Sequence, residues 1–189
     1  MSALLEALLL EIPDCIATER LTLRAPAAGR GRDIHAAVTE SLEALRRWMP
    51  WAKADRCEAD SERHCREMLA KWHAREELDF CFYRRADGML VGKGGLHTID
   101  WSIPRLEIGY WIRTSCAGQG YATEATLALV EFARRHLGAK RLEITSDARN
   151  AASRRVAEKS GFELEGIRRA SRRDTAGELA DSCMYARLV

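Results

Sequence analysis

The sequence predicts an α/β domain built on a mixed, largely antiparallel sheet flanked by helices. Three observations carry the prediction. Apolar residues alternate in FCFYRR, MLVGKGGLHTI and RLEIGYWIR, so three strands follow one another through the middle of the chain. The pattern switches to a helical period directly after the glycine pair of CAGQGYATEA, Cys116 to Ala125. A strand, a short helix and two closing strands then complete an alternating order of elements.

Composition sets the outer bounds. At 189 residues the chain is expected to form one domain, residues 1–189, large enough to bury its own core. Hydrophobic residues at 47% and charged residues at 31% describe a soluble globular chain. A formal charge of +2 gives no ground for direct nucleic-acid binding. The six cysteines are scattered without a C-x-x-C, so reduced thiols and a cytoplasmic location are expected. Cys57, His64 and Cys65 lack a fourth ligand and read as ordinary helix residues, so no metal is expected. MSALLEALLLEI has no basic leader and is interrupted by Glu6, so it reads as neither a signal peptide nor a membrane span.

Leu4, Leu5, Leu8, Leu9 and Ile12 have helical spacing and predict a short helix packed on the domain, or an arm reaching a second subunit in a homodimer. ERLTLRAP, Glu19 to Pro26, is the first expected strand. Helices are expected over Arg32 to Trp48 and Asp60 to Leu78, separated by the WMPWAKADRC loop. The three alternating strands follow, with turns at Ala86-Asp87-Gly88 and at Asp100 to Pro104. The next helix places Ala122, Ala125, Leu129, Phe132, Ala133 and His136 on one stripe and stops at Gly138. RLEIT, Arg141 to Thr145, is a strand; Ala151 to Lys159 is a helix with Asn150 at its N-cap and Gly161 as terminator. FELEGIRRASRRD and ELADSCMYARLV close the chain as a hairpin.

A helix that opens at Gly120 presents bare N–H groups and the positive end of its dipole, which suits a phosphate or pyrophosphate. Thr123 adds a hydroxyl in the first turn. The alternative is a tight strand-to-helix turn that holds no ligand. Thr123 stands where a dinucleotide fingerprint needs a small residue, and Gly88 to Gly94 has the wrong spacing for a P-loop, so both common nucleotide motifs fail.

The strand EIGYWI, then GQGYATEA, and thirty residues later NAASRRVAEKSGF resemble the GNAT superfamily of acetyl-CoA-dependent N-acetyltransferases. Within it the chain is similar to the RimJ/RimL branch, which acetylates N-termini of ribosomal proteins; ERLTLRAP, the WMPW loop and the closing hairpin share that likeness. The resemblance implies a single GNAT domain with a splayed parallel strand pair, and acetyl-CoA as co-substrate. It places the pyrophosphate on the backbone of Ala117, Gly118, Gln119, Gly120, Tyr121, Ala122 and Thr123, and the pantetheine arm in the gap where the strand ending near Ile112 splays from the next parallel strand. Ala117 stands where the family motif usually begins with Gln or Arg, so weaker electrostatics at a largely main-chain site are expected.

An amine attacks only when neutral, whereas an α-amine has a pKa of about 8 and a lysine about 10, so a base is useful. Glu107 is the candidate: it shares a strand face with Gly109 and Trp111, opposite Leu106, Ile108, Tyr110 and Ile112. The resemblance places a glutamate with that role here. The alternative is a strand glutamate facing solvent or paired to an arginine. Strand N–H groups near Tyr110 to Ile112 are candidates for stabilising the oxyanion. Asn150 and Ser153 match the family pair beside the pantetheine and thiol, giving Asn150 a binding role and Ser153 an acid role, although the same residues are ordinary helix caps.

Cys116 lacks an assigned histidine partner and the resemblance implies direct transfer, so it is read as a bystander. His97 and His136 are read as structural, His136 on the core-facing stripe. Arg168, Arg169, Arg172 and Arg173 form a solvated basic face, and Arg154 and Arg155 are candidates for the 3′-phosphate of CoA. Trp48, Met49, Pro50 and Trp51 form either an apolar lip for the acceptor or core packing. The expected activity is N-acetylation of a primary amine, with a protein N-terminus or a small-molecule amine as partner; a non-catalytic acyl-CoA sensor and a dinucleotide enzyme are the rivals.

Overall fold

The computed structural model describes residues 3–53 and 55–189, so Met1 and Ser2 of the N-terminal stretch lie outside the described residues. The element order is α1 (Ala3–Leu8), β1 (Cys15–Ala17), β2 (Leu21–Arg24), α2 (Gly31–Glu40), α3 (Leu42–Arg46), α4 (Glu58–Ala74), β3 (Leu78–Arg84), β4 (Leu90–Asp100) and β5 (Arg105–Ile112). A short 3-10 turn, Thr114–Cys116, leads into α5 (Tyr121–His136), β6 (Arg141–Asp147), α6 (Ala151–Lys159), β7 (Glu163–Arg173) and β8 (Leu179–Leu188). The strands form one eight-stranded sheet in the order β1-β2-β3-β4-β5-β6-β8-β7. Among the described residues no helix is long and apolar enough to cross a membrane.

The mixed sheet and the central antiparallel trio stand as the alternation predicts; β5 and β6 make the parallel pair. Their pairing covers only Arg105↔Arg141, Leu106↔Leu142 and Glu107↔Glu143, while β6 runs on against β8 as far as Asp147. The two strands therefore splay beyond Glu107, and the β6-facing edge of β5 from Ile108 onward has no strand partner.

Helices cover both faces. One core joins Leu21, Phe80, Phe82, Leu96 and Ile108 to Leu129, Phe132 and Ala133 of α5. The other gathers Ile34, Val38, Leu45, Cys65, Cys81 and Leu90 beneath α2, α3 and α4. Both faces of β3 are buried, which explains its near-continuous apolar run.

Four expectations need correction. The helix expected over Arg32 to Trp48 is two, broken at Ser41, whose buried hydroxyl accepts a hydrogen bond from the N–H of Thr114 at 2.9 Å. Glu40 beside it is tied to Arg113, so this break fastens the turn that leads to the glycine loop. The second expected helix ends at Ala74 rather than Leu78, because Arg75 turns into the left-handed region at φ 58° and Leu78 is fully buried as the first residue of β3. The N-terminal leucine stripe faces outward at Leu8 and Leu9, while Ala7, Leu10 and Ile12 pack inward. His136, the last residue of α5, is exposed and not on the buried stripe, which runs on instead through Leu137 and Ala139.

Candidate active site

The loop after β5 is built around two left-handed glycines, Gly118 at φ 75° and Gly120 at φ 84°. A Cβ on Gly118 would meet nothing within 4 Å, so the loop is open on the side it presents. Gly120 is the N-cap of α5 without any side-chain cap. Among the described residues the N–H groups of Gly118 to Thr123 have no protein hydrogen-bond acceptor; the first helical bond is Glu124 N–H to Gly120 O. Bare donors and a helix dipole are what a diphosphate requires.

A clamp holds this loop from behind. Arg20 donates to the Gln119 carbonyl at 2.9 Å, pairs with Glu124 at 2.7 Å and lies over the Tyr121 ring at 4.7 Å. Thr18 adds a hydroxyl hydrogen bond to Glu124 at 2.6 Å. Burial by itself would raise the carboxyl pKa of Glu124, yet these donors hold it below the ordinary range, so its charge is spent on Arg20 instead of opposing an anion at the loop.

The loop floors a cavity of about 680 Å³ that runs along the splayed edge of β5 to the start of α6. Ile112, Ala117, Gly118, Gly120, Tyr121, Ala122, Thr123, Asn150 and Ser153 all line it, with Arg155 and Lys159 at its basic rim. Gln119 turns away: its side chain donates to the Ser115 carbonyl at 3.1 Å. Arg154 does not line this cavity, since it donates to the Tyr185 hydroxyl and the Ala148 carbonyl. Asn150 caps α6 by accepting the Ser153 N–H at 3.1 Å. The Ser153 hydroxyl lies 3.2 Å from that of Tyr110, whose pKa burial pushes up to about 12 although the Ser153 contact opposes this, so Tyr110 keeps its proton. Cys116 is buried against the same cavity.

A second cavity, about 390 Å³, lies beneath α2 and α4 on the other side of β5. Tyr110, Trp111 and Met49 line both cavities, so the two meet at one thin wall. Gly95 and Gly109 face each other across β4 and β5, and both line the second cavity. The flanks are apolar, with Ile34, Val38, Met68 and Trp51, whose ring stands 6.2 Å from that of Trp111. The WMPW segment thus divides, Trp48 lining the first cavity and Trp51 the second.

The floor of the second cavity is charged. Lys93, only 4% exposed, forms an ion pair with Asp79 and lies 3.1 Å from Nε2 of His64. Burial disfavours its ammonium, but Asp79 outweighs that and raises the Lys93 pKa. Burial, then the Lys93 charge, hold His64 down to about 4, so its neutral Nε2 accepts from Lys93. Because the folded value lies below the ordinary 6.5, the unfolded chain takes the proton first as pH falls. Stability is therefore full above about 6.5 and lost between there and about 4. Allowing for partial exposure, the loss is about 1 to 2 kcal/mol. Urea unfolding from pH 7.5 to 4.5 should show this slope, and His64→Gln should flatten it; equal slopes in both chains would contradict the assignment.

Glu107 is half-buried at the last paired position before the splay, and it lines neither of these two cavities. His97, read from the sequence as structural, stands directly opposite it across the strand pair and lines the second cavity. Lys93 and Asp79 were not singled out as site residues in the sequence; His64 was read as an ordinary helix residue, and Tyr110 only for its backbone N–H. One signal was present: a lysine enclosed by glycines in GKGG, at an inward strand position two residues from Gly95 and four from His97. Cys57 is exposed and Cys65 buried, and among the described residues no group of three or more His, Cys, Asp or Glu side chains gathers to hold a metal ion. The basic run on β7 is partly engaged, Arg172 with Asp147 and Arg173 with the Gly177 carbonyl.

Comparison with known proteins agrees with this architecture. The chain is 28% identical to YdaF of Bacillus subtilis over 155 residues, 80% of this chain and 82% of the relative, whose name assigns it to the ribosomal N-acetyltransferases. It is 24% identical to the ribosomal-protein-serine acetyltransferase of Escherichia coli over 173 residues, 91% of this chain and 94% of that one. The crystal structure of RimL, a ribosomal L7/L12 alpha-N-protein acetyltransferase in complex with coenzyme A, superposes with a TM-score of 0.85 at 23% identity, covering 94% of this chain and 97% of RimL. The family model described as the acetyltransferase (GNAT) domain matches residues 20–163, and the chain belongs to the GNAT acetyltransferases, as a relative of the ribosomal-protein N-acetyltransferases.

Proposed function

We propose that residues 1–189 form one catalytic domain that transfers acetyl directly from acetyl-CoA to an α-amino group, with a protein N-terminus as acceptor. The observation that carries this reading is the pair of cavities meeting at Tyr110 and Trp111, one floored by bare amides and the other closed by a charged floor. Donor and acceptor then approach from opposite sides of β5 and react at the shared wall, which makes a covalent enzyme intermediate unnecessary. The amides of Gly118 to Thr123 hold the diphosphate, the splayed edge of β5 from Ile108 to Ile112 takes the pantetheine arm, and Asn150 fixes the start of α6 beside it. Held in place, the two substrates react as if at high effective concentration.

Glu107 supplies the negative charge that draws the proton from the amine, acting through an intermediary at the cavity wall. Ser153 with Tyr110 stands where the departing thiolate needs a proton. E107Q should lower kcat about 100-fold while leaving acetyl-CoA affinity unchanged, since the carboxylate is remote from the amide loop. Single-turnover kinetics and calorimetry separate the two quantities, and an unchanged kcat discards the role.

A small-molecule amine is the second reading, favoured by the closed floor of Lys93, Asp79 and His64. Thiol release from acetyl-CoA across N-terminal peptides, free amino acids and polyamines decides between them. CoA binding without thiol release from any amine would leave a non-catalytic acyl-CoA sensor. A cytoplasmic location belongs to the same reading, since all six cysteines are unpaired. A homodimer through the sheet edge, where β7 exposes Leu164 and Ile167, would show in the mass measured in solution.

A further inference from the structure

We infer that His97 is the group that takes the proton from the acceptor amine, and that Thr98 positions it. The inference rests on the acetyl-transfer reading above and names the intermediary that it leaves open. His97 and Glu107 are direct partners across β4 and β5, so their side chains rise on the same face. Only His97 of the two lines the acceptor-side cavity. Its ring leans over Gly109, with Nε2 2.8 Å from the point that a Cβ on Gly109 would occupy. The absent side chain of Gly109 is thus the space in which the imidazole stands, one pleat from Trp111 in the wall between the cavities.

The backbone next to it is distorted in a way that serves this placement. Thr98 has φ 50°, a left-handed conformation that a β-branched residue avoids, at the bulge where the β4–β5 register slips between His97 and Asp100. There its hydroxyl oxygen lies 2.9 Å from Nδ1 of His97. Nδ1–H donates to Thr98, and Nε2 keeps its lone pair toward the cavity. Strained conformations of this kind persist where the surrounding structure enforces them, often at sites of chemistry.

The step balances as follows. The amine nitrogen forms its bond to the thioester carbonyl carbon and gives a proton to Nε2 of His97; the carbon–sulfur bond breaks and CoA leaves as thiolate. The sulfur gains a proton from the Tyr110 side or from solvent, and the imidazolium returns its own to solvent. Glu107, the facing residue on β5, brings a carboxylate to the same strand face.

The test uses the full chain with acetyl-CoA and the best acceptor of the amine panel. H97Q is expected to lower kcat about 100-fold with unchanged acetyl-CoA affinity and unchanged thermal stability. H97A should recover part of its loss on addition of free imidazole. G109A, whose new methyl group meets only the His97 ring, should keep its fold yet lose turnover, because the ring is displaced. An H97Q enzyme with wild-type kcat overturns the inference, and so does an H97A enzyme that imidazole fails to rescue. If H97A does not fold, H97Q and G109A decide. Wild-type protein that acetylates no amine fails the underlying reading, whereas active wild type with equally active H97Q fails this inference alone.

Discussion

Replacing Lys93 by methionine is expected to destabilise the fold by about 3 kcal/mol, the lower end of what removal of one partner costs a buried ion pair. The cause is the group left behind. Asp79 has only 17% of its side chain exposed, and without Lys93 its carboxylate stands uncompensated beneath α4. The lower end applies because the adjoining cavity admits some screening. His64 reports the same event: without the ammonium beside it, its pKa should rise from about 4 by the part that Lys93 causes, while burial, the larger cause, still holds it down. Adding Asp79→Leu to Lys93→Met should restore most of the stability, since an apolar pair of similar size needs no charge compensation. Urea unfolding of the single and double variants, with histidine proton shifts, measures both effects. A Lys93→Met chain as stable as wild type would mean that the pair adds nothing to the fold.

Acetyl-CoA affinity should fall about 100-fold in Gly120→Asp and far less in Gly120→Asn. Both side chains tolerate the left-handed conformation at φ 84° better than other residues do, and both serve well as N-caps, so the helix should survive either change. A Cβ at this position comes no closer than 3.4 Å to Arg20, an ordinary contact. The two variants differ by one negative charge at the amides proposed to hold the diphosphate. Two charges about 5 Å apart near a protein surface repel by about 3 kcal/mol, which is about 100-fold in binding. Calorimetry with acetyl-CoA at fixed ionic strength compares them, and equal affinities would place the diphosphate elsewhere.

The central strands were legible because alternation is written into neighbouring residues, and Gly88, Gly138 and Gly161 all adopt the positive φ their turns were expected to need. The amide loop was legible for the same reason, since Gly118 and Gly120 sit directly between a strand pattern and a helix pattern. The three-residue strand β1 was not, because so short a segment carries no period. Helical spacing placed His136 inside, but it is exposed in the last turn of α5; nothing local to His97 reveals that it stands over a glycine twelve residues away on the next strand.

By itself the sequence determined most of the elements and their order, the family likeness and the glycine loop, since each depends on residues close together along the chain. Only the tertiary structure decided that β5 and β6 part after Glu107, that Gly95 meets Gly109, and that Lys93, Asp79 and His64 converge under α4. Those contacts join residues far apart in the chain, and a shift of one residue in strand register would send the Lys93 or Asp79 side chain to the opposite face.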